Sequence, residues 1–236
     1  MSRGPREKLK QILEKVEVSE DEFELAKSLI SEVREELLSR INELKEKDWE
    51  SGWNILSKLN KISYIDFTNI PRAFRYENLP KILANHINKL SMVNNLEEGS
   101  KIIGETLQLI ERLGIKHIRL VQLLHLTHII KPNLFIPVTN YPISLALCYI
   151  YSNNIAGLST ANLEECAGKL HSGHIRINNI YKIISELRNM AEEIELLREL
   201  QEDERIIKLS LILEKYGNSL REEMRKEQAK QTEHYP

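Results

Sequence analysis

Two pairs of histidines, His125 and His128 in LLHLTHII and His171 and His174 in HSGHIR, come nearest in type and spacing to a metal site. Each pair is three residues apart, about one helical turn, so both imidazoles of a pair could reach one ion. A stable zinc site needs three or four ligands, and neither pair has a carboxylate beside it in sequence, Glu164 and Glu165 being the acids nearest His171. No metal ion is therefore expected. The simpler reading places one of His125 and His128 in the core on a backbone partner and the other on a partly wet face.

Two further stretches suit an anion. In PRAFRYENLPK, Arg72, Arg75 and Lys81 are interleaved with Phe74 and Tyr76, and guanidinium groups beside aromatic rings can stack on bases or hold phosphate. The same pattern also fits a surface loop whose aromatics plug the core while its arginines pair with acidic helices. In HSGHIRINNIYK the Ser172-Gly173 turn leads into a helix whose free first amides, with His174 and Arg176, could hold an anion, or it is a plain turn between helices. The chain has no phosphate-binding glycine loop, no Gly-x-Ser-x-Gly elbow, no HExxH and no Cys-x-x-Cys. No catalytic residue and no cofactor are expected, and an enzyme with a histidine-based site is the least supported reading.

The elements that must position these groups are helical. Among 236 residues glycine and proline number only 9 and 7, while Leu, Ile, Glu and Lys dominate, which disfavours sheets because strands need frequent turn residues. The fold class expected is all-α: a multi-helix globular domain with long amphipathic, coiled-coil-like helices at both ends. Ser19 and Glu22 form a capping-box pattern ahead of Phe23, Ala26, Ile30, Val33, Leu37, Ile41 and Leu44, which predicts one long helix from Ser19 to Lys47. A short helix from about Pro5 to Val16 precedes it. Further helices are predicted near 79–93, 96–113, 115–130, 143–152, 160–171, 175–200 and 205–230. The organisation expected is 1–49 as N-terminal amphipathic helices, 50–200 as the helical core domain, and 201–236 as a charged C-terminal helix and tail.

Pro132, Pro137 and Pro142 punctuate the apolar segment KPNLFIPVTNYP. Proline lacks the amide donor a helix needs, so the nearly all-apolar helix before it must stop near Ile130, and KPNLFIPV must run extended and buried. Asn140 then caps the next helix. The apolar runs here fall far short of the roughly 20 residues of a membrane span, so no membrane helix is expected. The N-terminus MSRGPREKLKQ has no apolar run behind its basic residues, which speaks against a secretory signal and makes the cytoplasm the expected location. Cys148 and Cys166 are expected as buried reduced thiols.

The stretch LGIKHIRLVQLLHLTHIIKPNLFIPVTNYPISLAL, residues 113–147, resembles the helix-hairpin-helix DNA glycosylase superfamily. In that family a glycine-containing hairpin opens a buried helix, and an apolar segment ends in Val-Asp before the next one. The resemblance implies a helical platform on nucleic acid, the hairpin amides approaching a phosphate. It does not extend to the chemistry: Lys116 stands where the second hairpin glycine would be, the nucleophilic lysine falls near Ile118, and the aspartate falls at Thr139 or Asn140. What it leaves is a phosphate-binding role for Lys116, His117, Arg119 and Lys131.

Charge distribution agrees in sign. Residues 114–186 carry six basic and three acidic groups and five of the seven histidines, whereas both ends are acidic and the whole chain is at −2. The function expected is a non-catalytic helical protein associating with DNA or RNA, or with a nucleic-acid-processing complex, through Arg72, Arg75, Tyr76, Lys116, His117, Arg119, Lys131 and Arg176. The alternative is a homodimeric scaffold or protein-interaction module that self-associates through its long helices.

Overall fold

The structure, a computed structural model, describes residues 4–45, 49–65, 67, 76–116, 118–155, 157–173 and 175–233. Twelve helices occur among these residues, with one two-stranded ribbon, so the all-α expectation holds. In chain order they are α1 (Pro5–Lys15), α2 (Glu20–Ser39), α3 (Ile41–Lys45), α4 (Trp49–Ser57), α5 (Leu79–Ser91), α6 (Leu96–Arg112), α7 (Leu120–Ile130), α8 (Tyr141–Ile150), α9 (Leu163–His171), α10 (Ile177–Glu193), α11 (Glu195–Arg198) and α12 (Glu202–Glu233). A 3-10 turn, Lys58–Lys61, follows α4. The ribbon, β1 (Asn154–Ile155) and β2 (Leu158–Ser159), is antiparallel, with Asn154 opposite Ser159 and Ile155 opposite Leu158.

Side-chain caps account for where four of the helices start. Ser19 accepts the Glu22 amide at 3.3 Å, and Asn95, Asn140 and Asn162 accept the amides of Glu98, Ile143 and Glu165 at 2.9, 3.2 and 2.9 Å. Each bond satisfies one of the amides that a helix start leaves without an intrahelical partner. The ends depart further from expectation. The predicted Ser19–Lys47 helix breaks at Arg40, and 175–200 divides into α10 and α11 at Ile194, whose extended backbone interrupts the run. The helix expected from Ile115 begins only at Leu120. Gly114, at φ +65°, ends α6, with the Gly114 amide on the Glu111 carbonyl at 3.0 Å and the Ile115 amide on Ile110 at 3.1 Å. This left-handed closure turns the chain away, and Ile115 and Ile118 plug the core between the two helices.

The buried apolar side chains form one cluster running from Leu9 to Leu213, so the helices at both ends share a core with residues 50–200. At its centre lies α7, every residue of which is buried. α12 crosses the start of α8 closely: a Cβ built on Gly217 would lie 1.8 Å from the Pro142 carbonyl oxygen. α2 and α12 pack on each other within the chain, joined by Lys27–Glu204 at 2.8 Å and Lys215–Glu22 at 2.6 Å.

Two expectations are corrected. Cys148 and Cys166 are not reduced thiols: a disulfide joins α8 to α9, their Cα atoms 5.9 Å apart and both side chains buried. Apolar helical surroundings do not tell a buried thiol from a buried half-cystine, because the pairing depends on how α9 folds back on α8. His125 and His128 also do not divide between core and water, since both are fully buried. α7 is surrounded on all sides, so it has no wet face to offer.

Candidate nucleic-acid interface

The proline segment is held from every side by hydrogen bonds to its backbone. His128 Nδ1 donates to the Phe135 carbonyl at 2.6 Å, Ser144 Oγ to Val138 at 2.8 Å, and His171 Nδ1 to Thr139 at 2.8 Å. Asn140 caps α8 with its oxygen and donates through Nδ2 to the Tyr64 carbonyl at 3.1 Å. A buried loop needs such partners because water cannot supply them. The Tyr64 hydroxyl lies 3.0 Å from His128 Nε2. Burial holds the His128 pKa down near about 4, so the ring is neutral, and with its one proton on Nδ1 the Nε2 accepts from the Tyr64 hydroxyl. His86 is the other buried histidine of known partners. Thr127 Oγ1 gives its proton to the Leu123 carbonyl at 2.6 Å, so His86 Nε2 donates to it at 3.3 Å, while Nδ1 accepts from Thr106 at 2.9 Å. Burial lowers His86 to about 3.

These bonds give His86, His128 and His171 structural partners. No group of three or more potential ligands for a metal occurs among the described residues. Thr139 is fully buried with its hydroxyl unpartnered among the described residues, and Asn140 is committed to its cap. Neither can ionise.

The predicted basic residues divide into groups. Lys116 and Arg119 are exposed on the turn between α6 and α7, and Gln122 accepts the Arg119 amide at 3.0 Å to open α7. The α9–α10 turn is packed against this point: a Cβ on Gly173, itself at φ +72°, would meet the Leu120 Cβ at 3.4 Å. Arg176, exposed at the start of α10, therefore stands at the same end of the molecule as Lys116 and Arg119. Arg112, in the last turn of α6, joins them. Its signal in the sequence was its place two residues before the capping glycine, where the chain turns toward Lys116. None of these four cations has an ion-pair or hydrogen-bond partner for its side chain among the described residues. By contrast, Lys58 reaches Glu32 and Glu36 at 2.7 and 2.6 Å, and Arg188 pairs with Glu202.

Lys131 is elsewhere. It follows the far end of α7, an eleven-residue helix and so about 16 Å long, and lines a different cleft. Tyr76 is half-buried against the core rather than displayed for stacking. Arg72, Arg75, His117 and His174 lie outside the described residues. A groove of about 1200 Å³ between α6 and α10 starts beside Arg176, at Ile177, and carries Lys101 and Lys182 but also Glu97, Glu98 and Glu105. Its charge is mixed; at the Lys116 end the exposed acid Glu111 stands in the same helical turn as Arg112.

No protein family, curated protein or solved structure matches the chain.

Proposed function

We propose that the protein is a non-catalytic nucleic-acid-associated protein that docks on the phosphate backbone through the end of the fold where the α6–α7 and α9–α10 turns meet. The observation that carries this reading is the convergence of Arg112, Lys116, Arg119 and Arg176, exposed and without side-chain partners among the described residues, on two turns that pack against each other at Gly173 and Leu120. Cations on short turns at one end of a rigid bundle can follow a phosphate backbone without reading base edges. The helix-hairpin-helix resemblance supports the same surface, since Lys116 and Arg119 lie on the turn it singles out. With no ionisable group at residues 139 and 140, binding rather than base excision is the activity proposed.

The test is binding of labelled duplex and single-stranded DNA and of RNA across a salt series. Four phosphate contacts give a slope of log K against log salt of about −3 to −4. Arg119→Ala should flatten that slope by about 1, while Lys58→Ala, which removes a cation engaged with Glu32 and Glu36, should leave it unchanged. Absent or salt-independent binding would rule the reading out.

The scaffold alternative is less well supported. The apolar faces of α2 and of the first half of α12 are occupied within the chain, and residues 221–230 of α12 are mostly charged and are exposed apart from half-buried Met224.

A further inference from the structure

Lys131 sits beside Arg34 of α2, and neither side chain has an ion-pair partner among the described residues. Two cations held side by side repel, and burial together with the Arg34 charge lowers the Lys131 pKa. Both face a cleft of about 500 Å³ formed by α2, the end of α7 and the start of α12. A second cavity of about 290 Å³ shares Arg34, Gln201 and Asp203 with it. A volume of this order suits a small organic molecule, not a nucleic-acid strand.

The rest of the lining narrows the chemistry. Asn133 and Gln201 bring side-chain amides that have no partner among the described residues, so they are available as donors. Leu38 and Ile130 supply an apolar wall. Two carboxylates also line the cleft, yet each is engaged: Glu202 with Arg188, and Asp203 with the Glu204 amide at 2.9 Å. Neither lies within ion-pair distance of Arg34 or Lys131.

We propose that this cleft is a binding site for a small organic phosphate, the phosphate held by Arg34 and Lys131, the amides of Asn133 and Gln201 hydrogen-bonded to it, and the organic body laid against Leu38 and Ile130. A dianion answers both charges at once, and the planar guanidinium matches two phosphate oxygens. The site is separated from Lys116 and Arg119 by the length of α7 and does not depend on the nucleic-acid reading.

Calorimetric titration of the full chain with inorganic phosphate and with ADP tests the site. ADP should bind, and at least ~10-fold more tightly than inorganic phosphate because only it reaches the apolar wall. Arg34→Gln and Lys131→Gln should each weaken ADP by ~10-fold or more without lowering the melting temperature, both residues being only half-buried and each substitution relieving the repulsion between them. Arg119→Ala should leave ADP binding unchanged, which separates failure of this site from failure of the nucleic-acid surface. No ADP binding at millimolar concentration overturns the proposal. So does binding that survives both cleft substitutions, or that tracks Arg119 instead.

Discussion

Gly217 and Gly168 are both glycines inside helices, and only their surroundings distinguish them. A Cβ on Gly217 would meet the carbonyl oxygen, carbonyl carbon and Cα of Pro142 at 1.8, 2.4 and 2.8 Å, all backbone atoms that cannot swing aside. Gly217→Ala must therefore push α12 off the start of α8, and we expect a loss of at least about 2 kcal/mol in denaturant unfolding. A Cβ on Gly168 would meet nothing within 4 Å outside its own helix, so Gly168→Ala should stabilise by about 0.5–1 kcal/mol through helix propensity alone. Equal effects at the two positions would show that the α8–α12 crossing has room for a methyl group. The same contrast holds for the histidines. His125 and His128 invited a metal by their spacing, but His128 is used up between Tyr64 and Phe135.

At the scale of elements, α8 is the strut on which α9 and α12 are mounted. It is capped by Asn140, crossed by α12 at Gly217 and tied to α9 by Cys148–Cys166. The disulfide closes a loop of 18 residues in sequence separation that contains the ribbon β1–β2. Removing such a crosslink frees the unfolded chain, so a Cys148→Ala, Cys166→Ala variant should lose about 3 kcal/mol relative to the oxidised protein. Unfolding curves with and without reductant measure this directly. Identical midpoints, or two titratable thiols in the untreated denatured protein, would show that the bridge does not form. α9 also carries His171 to the Thr139 carbonyl and leads into the turn that meets Leu120, so the bridge helps hold Gly173 against the start of α7.

The molecule as a whole buries neutral histidines, and this sets its response to acid. His86 and His128 have folded pKa values of about 3 and about 4, against an ordinary 6.5. The unfolded chain takes up protons below about pH 6.5 that the native protein does not, so their stabilisation is complete above that pH and is lost as pH falls through the window down to about 4. At pH 5 each should cost about 2 kcal/mol, from about 1.4 kcal/mol per pH unit. Glu214, whose carboxyl burial pushes up, opposes this near the bottom of the window, because the native state then binds the proton more readily than the unfolded one. Unfolding midpoints at pH 7, 6 and 5 should fall progressively, and a flat profile would mean that the histidines are hydrated.

Periodicity and local chemistry were enough for the helical class, for the capped starts at Ser19, Asn95 and Asn140, and for the stop near Ile130. Those features depend on neighbours a few residues away: a side-chain oxygen three positions before an amide, a missing proline donor, a spacing that lines up one face. The break of α2 at Arg40 and the late start of α7 were less legible, because competing local patterns there are resolved by what packs against them. Their sequences let the long end helices pack on each other or across a dimer axis, and the structure shows α2 and α12 packed on each other through Lys27, Glu204, Lys215 and Glu22. The Cys148–Cys166 pairing, the burial of both His125 and His128, and the separation of Lys131 from Arg119 belong to tertiary structure alone. So does the meeting of Lys131 with Arg34, nearly a hundred residues earlier in the chain. Charge and contact act through space, and only the packing of helices around α7 decides which distant side chains share a cleft and which are left facing water.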